Sequence, residues 1–199
     1  MRFTTYALLL AVSPTVLFGA EPTANAEKPA AAAPATETVT VKFDTLTFQA
    51  PKSWVNEKPK SNLRLGQFSI PAVEGDKEPA ELAIFDRIAG SDKANIERWI
   101  GQFSPEGLST KMTKGSAEAG DYIFVELTGS YKKPVGPPFL MKTDLVEGYS
   151  MLGVVFASKA GGNYFFKLTG PTKTATAAAQ DFRRSFGGDA SKETEYTLE

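Results

Sequence analysis

The chain has 199 residues, 42% hydrophobic, 11% aromatic and 23% charged, the composition of a folded domain rather than of a disordered or fibrous chain. Basic and acidic residues nearly cancel, 22 against 23, which argues against a dedicated nucleic-acid binder. With Cys and His both absent there is no disulfide, no thiol nucleophile, no imidazole base and no thiolate or imidazole metal ligand.

Arg2 precedes an apolar run from Tyr6 to Phe18, broken by Ser13-Pro14. One positive charge before about a dozen apolar residues reads as a signal peptide, too short for a stable bilayer anchor. Cleavage is expected after Ala26, where Ala24-Asn25-Ala26 fits the small-residue rule, or after Ala20. A leader over 1–26 and no integral membrane span after processing place the protein in the periplasm or outside the cell. Residues 27–38, rich in Ala and Pro, cannot bury enough surface to offset their ordering entropy and read as a flexible linker.

A single α+β domain is expected over 39–186. Thr40 to Gln49 suits a short hairpin about Asp44-Thr45. Strands are predicted at Leu63–Ile70, Glu81–Ile88, Tyr122–Thr128, Tyr149–Ser158 and Asn163–Thr169, the last two joined by Gly161-Gly162. Several are apolar on both faces, so the sheet must be covered twice. Connections too short for crossover helices make it mainly antiparallel. Between them, Ile96, Trp99, Ile100 and Phe103 form one helical stripe over Ser91–Phe103, capped by Ser91 or Asp92 and stopped by Pro105. A second helix over Thr172–Phe186 buries Ala175, Ala178, Ala179, Phe182 and Phe186, and Gly187-Gly188 end it. The acidic tail 187–199 has few apolar residues and is expected to be disordered.

Some motifs are shared with a known family. Phe48-Gln-Ala-Pro51-Lys-Ser-Trp54 is a strand, a proline break and an aromatic anchor, and the core closes on a helix ending Ser185-Phe186. With Ala80–Asp86, Asn95–Phe103 and Phe165–Pro171, these resemble the PsbP-like domain and uncharacterised exported bacterial proteins of that fold. The resemblance implies an α/β/α sandwich, a mainly antiparallel sheet covered by helices, and a non-catalytic accessory or docking role. Photosynthetic members use His among their proposed metal ligands. This chain has none, so no binding residue carries over.

No Ser-hydrolase elbow, Walker loop or metalloprotease motif is present, and a Ser-His-Asp device is impossible without His. No catalytic residue, metal or cofactor is assigned. The leading expectation is a non-enzymatic binding or accessory domain for an unknown protein or small ligand. It would dock through the Pro/Gly-rich segment Gly129–Met141, expected to lack regular structure and to display Tyr131, Lys132, Lys133 and Phe139, with Trp54 as a neighbour. Charges inside apolar strands are the second signal: Arg64, Asp86, Arg87, Glu126 and Lys167 either pair across strands or point to solvent at the sheet ends, or else line a polar cavity for an anionic or zwitterionic ligand. The rival class is a carboxylate-dependent envelope hydrolase using Asp86 and Glu126.

Overall fold

The computed structural model describes Met1, residues 36–86 and residues 88–198. The expected leader and its cleavage points, nearly all of the 27–38 linker, and Arg87 lie outside the described residues.

Apolar residues at alternate positions build a sheet with two buried faces. Its strands are β3 (Val55–Glu57), β4 (Arg64–Ile70), β5 (Ala80–Asp86), β6 (Ser109–Ala117), β7 (Gly120–Pro134), β8 (Thr143–Ser158), β9 (Asn163–Pro171) and β10 (Thr194–Glu195). They lie in the order β10-β6-β7-β8-β9-β5-β4-β3, and every neighbouring pair is antiparallel. A separate hairpin, β1 (Thr38–Phe43) and β2 (Leu46–Pro51), turns at Asp44, whose φ of 53° is left-handed. Period-2 alternation sends Leu82, Ile84, Phe124, Val154, Phe166 and Leu168 to one face. Val125, Leu127, Met151, Val155 and Phe165 go to the other.

Helix α2 (Thr172–Ser185) and strand β2 cover the first face. Phe182 is fully buried against Phe124 and Phe166, with ring centroids 5.9 and 6.4 Å away. The residue before α2 is Pro171, which has no side chain to cap it. Asp76 supplies the cap from elsewhere in the chain, accepting bonds from the backbone N–H and the hydroxyl of Thr174. At the other end Gly187, at φ 84°, and Gly188 return N–H bonds to Arg184 and Arg183.

Helix α1 (Asp92–Ile100) covers the second face. Ser91 caps it by accepting from the Ala94 N–H. Trp99 lies over Gly153, where a Cβ would come within 2.6 Å of the indole. The α+β class, the antiparallel sheet and helical cover on both faces are thus as expected.

Three expectations are corrected and one strand is added to those read from the sequence. First, the tail is placed rather than disordered: β10 pairs with β6, and the Glu193 side chain is only 3% exposed. Composition hides this because the anchoring comes from a charged residue, Glu193, and from backbone bonds such as Tyr196 N–H to Met112 O. Second, Ser109–Ala117 forms β6, although it carries mostly Lys, Thr and Ser; it is a near-edge strand that buries little. Third, the first part of the Gly129–Met141 segment, up to Pro134, is strand. β7 and β8 run on as a two-stranded arm, with Tyr131 opposite Val146 and Pro134 opposite Thr143. The register shift between Gly129 and Tyr131 absorbs the irregularity, and Pro134 stands at the strand end where a missing N–H is tolerated. Fourth, α1 ends at Ile100, and Gln102–Ser104 instead stitches to the arm: Lys132 N–H donates to Gln102 O, and Ser104 N–H to Ser130 O.

Candidate functional site

Helix α1 is nine residues long and cannot cover its whole face. It packs over β8 and β9 through Trp99, and the ground beyond, towards β5 and β4, is left to small and polar side chains. Two rows of cross-strand neighbours form the floor. Ala83 and Lys167 stand abreast in one row, with Gly153 beyond them under Trp99; Ser69, Glu81 and Thr169 stand abreast in the other, with the buried Met151 beyond. The small Ala83 leaves room beside the Lys167 stem. The arm bends back as a wall, with Tyr131 and Tyr149 stacked at 5.7 Å and nearly parallel. Between floor and wall lies a cavity of about 620 Å³, rimmed by Glu57, Lys60, Arg64, Glu78 and Lys133.

Most of these charges are paired with one another. Glu81 accepts from Lys60 and, at 2.8 Å, from Arg64 Nη1. Arg64 Nη1 also bonds Gln67 Oε1 at 2.6 Å. Lys133 Nζ donates to Glu78 and to the Tyr149 hydroxyl. Lys167 differs: Nζ donates to Gln102 Oε1 and, at 3.4 Å, to the Tyr131 hydroxyl, and both partners are neutral. Among the described residues no ion pair involves Lys167.

The titration behaviour follows this arrangement. Burial, and then the Arg64 charge, lowers the Lys167 ammonium to about 8, with Glu81 pulling the other way. Burial pushes the Tyr131 phenol up, and the Glu81 charge adds to it, so Tyr131 stays a proton donor. For Glu81 burial opposes ionisation, but Lys60 and Arg64 outweigh it and hold the carboxyl below its usual range. Thr169 Oγ1 on the same floor is buried without a hydrogen-bond partner among the described residues.

Four residues singled out from sequence therefore meet here: Arg64, Tyr131, Lys133 and Lys167. The others do not. Trp54 is buried on the opposite face against Phe68, as an anchor and not as a neighbour of the arm. Glu126 also belongs to that face, where it accepts from Arg183 Nη2 at 2.7 Å. Asp86 ends β5, and β8 and β9 separate it from β7, so it stands about 14 Å of sheet away from Glu126. The carboxylate pair is not assembled. Tyr131, expected on display, is only 6% exposed. Lys132 turns to Gly101 O, and Lys133 is engaged by Glu78. Of the display set only Phe139 is well exposed, at 81%, on the short 3-10 turn Pro138–Leu140 at the arm's end.

Sequence reading passed over Lys60, Glu78, Glu81, Gln102 and Tyr149. Glu81 alone carried a signal, being in phase with Ala83 and Phe85 on a strand with two apolar faces. A second hollow of about 600 Å³ lies on the same side of the sheet, between Asp92 and the tail residues Lys192, Thr194 and Tyr196. Its floor is Ile123, Val155 and Ala157, and its rim carries Asp92, Lys114, Asp121 and Lys192, two charges of each sign.

No family model matches the chain, and no curated protein matches it. Among solved structures it is similar to the solution structure of cyanobacterial PsbP (CyanoP) from Synechocystis sp. PCC 6803. Identity is 14% and the TM-score 0.43, over 84% of this chain and 98% of that one. The relative thus falls in the family whose motifs the sequence resembles; nothing about activity or partners follows from it.

Proposed function

We propose that this is an exported, non-catalytic binding domain that holds a small anionic or zwitterionic molecule in the cavity between β5, β9 and the β7–β8 arm. The observation that carries the reading is Lys167: a largely buried amine, without a carboxylate partner among the described residues, facing a cavity of about 620 Å³. A cavity of that size with a few convergent polar groups is the ordinary form of a small-molecule site. The charged groups lining the cavity are Lys60, Arg64, Lys133 and Lys167 against Glu57, Glu78 and Glu81, so Lys167 is the cation left over once the others are balanced. Export is supported by the apolar run after Arg2 and the Ala24-Asn25-Ala26 site. No described helix is long and apolar enough to cross a membrane.

A titration of small carboxylates and amino acids, followed by NMR, tests the reading. Binding should shift the Tyr131 and Tyr149 ring resonances, and Lys167→Met should weaken it about tenfold, the usual effect of losing one charge-assisted contact. Rings that stay unmoved across the series would refute it.

A second reading, docking to a protein partner through the arm, is favoured by the exposure of Phe139, Leu140, Met141 and Leu145 at 81%, 48%, 88% and 60%. Phe139→Ser with Met141→Ser should abolish partner capture and leave the cavity's ligand affinity unchanged. Capture undiminished by that pair of changes would remove the arm from consideration.

A further inference from the structure

Lys133, in the same cavity wall, has the Glu78 carboxylate beside it. Lys167 is built differently. Its stem rises between Ala83 and Gly153, two of the smallest side chains in the sheet, and its Nζ is held by a carboxamide and a phenol. The one carboxylate on its floor, Glu81, is taken by Lys60 and Arg64. Such an arrangement holds an amine at a fixed point with neutral acceptors and no formal negative charge in contact with it.

We propose that Lys167 is a nucleophilic amine that captures a short carbonyl compound bearing an anionic group, forming an imine inside the cavity. This rests on the cavity being a binding site and goes beyond it by naming the ligand's reactive group. Desolvation beside another cation is a known way to activate a lysine, and an ammonium that titrates at about 8 leaves a usable share of free base near neutral pH. The Nζ lone pair adds to the carbonyl carbon while the C=O π pair moves to oxygen. That oxygen takes a proton and Nζ gives one up, leaving a neutral carbinolamine. The C–O bond then breaks as the nitrogen lone pair forms C=N, the hydroxyl leaves as water, and the second Nζ proton goes to solvent. One carbonyl and one amine become one imine and one water, with no oxidant or reductant. Tyr131, kept protonated by burial and 3.4 Å from Nζ, is placed to donate to the departing oxygen. The lining carries four cations against three carboxylates, and Arg64 at the rim offers guanidinium N–H donors to an anionic substituent.

The full chain is incubated with pyruvate and cyanoborohydride at pH 7.5, digested, and its adducts mapped by mass spectrometry. Lactate, which lacks the carbonyl, is titrated in parallel by NMR at the Tyr131 and Tyr149 rings. At that pH Lys167 carries roughly two orders of magnitude more free amine than an exposed lysine. Its adduct should therefore form at least about tenfold faster than those on the exposed Lys52 and Lys192, and Lys167→Met should remove that fast adduct alone. Wild-type mapping needs no variant, so a folding defect in Lys167→Met leaves the result decisive. Even labelling of all lysines while lactate still shifts both rings overturns the imine and spares the binding reading. Labelling that is even and rings that do not move overturn both.

Discussion

Arg183 and Lys167 are two cations held among apolar side chains on opposite sides of one sheet, and the protein treats them oppositely. Arg183, on α2, donates to Glu193 at 2.8 Å and to Glu126 at 2.7 Å, and its guanidinium lies 3.7 Å from the centre of the Phe124 ring. Burial works against its charge, but the two carboxylates prevail and hold its pKa above the usual value. Lys167 has no such escort, and its pKa falls. The difference follows from cover. On the α2 face Phe182 and Phe186 pack against Phe166, so a charge buried there must be neutralised in place. On the α1 face a shorter helix leaves a water-reachable hollow, and an amine can persist there with neutral partners.

Breaking the escorted charge should have the largest effect. Arg183→Met strands Glu126 and Glu193 and should cost about 3 kcal/mol in urea unfolding, and it should free the tail from residue 189 onward to limited proteolysis. For Glu193 burial opposes ionisation, but the hydrogen bonds and charge of Arg183 outweigh it and lower the pKa. A lowered carboxylate pKa means stability that is present above the unfolded value and lost as pH falls through the folded one. The wild type should therefore lose its advantage over Arg183→Met in acid, below about pH 4. An advantage of unchanged size down to pH 3 would mean the tail is held by something else.

Filling the thin side comes next. Gly153→Ala drives a methyl into the Trp99 indole and should cost about 2 kcal/mol, with Trp99 fluorescence as a second readout. A neutral outcome would show that α1 can slide over its face, and that the cavity is less fixed than drawn.

Smallest is the effect of Lys167→Met at neutral pH, expected within about 1 kcal/mol of wild type, because packing replaces a desolvated amine. The sign of its pH dependence sharpens the contrast. A lysine whose folded pKa is lowered to about 8 penalises the folded state most below that pH. The penalty lifts as pH rises towards the unfolded value near 10.4. Wild type should thus gain on Lys167→Met between pH 8 and 10, measured as a difference in urea midpoints. A flat difference would place Lys167 in ordinary solvent.

The same contrast explains what could be read in the chain beforehand. Strands with two apolar faces, the Ile96-Trp99 stripe and the Ala/Phe stripe of α2 are periodic, and periodicity survives in sequence, so the layered architecture was legible. Arg64 and Lys167 stood out as charges out of keeping with their neighbours. Their meeting with Tyr131 and Lys133 was not legible, because it depends on the register shift beyond Gly129 and on the stitch between Gln102 and Lys132. The tail was misread for a related reason: a single Glu193 accepting from Arg183, Thr113 and Tyr122 outweighs a dozen residues of unpromising composition.

The cavity floor straddles the β5–β9 seam, where Glu81 faces Thr169 and Ala83 faces Lys167. Those partners come from opposite ends of the domain, so their meeting closes a long loop, and such closures are slow steps in folding. The pocket therefore exists only once the two halves of the chain have met. Whatever lodges across that seam acts as a staple between them, slowing unfolding and making ligand occupancy a report on the integrity of the whole domain.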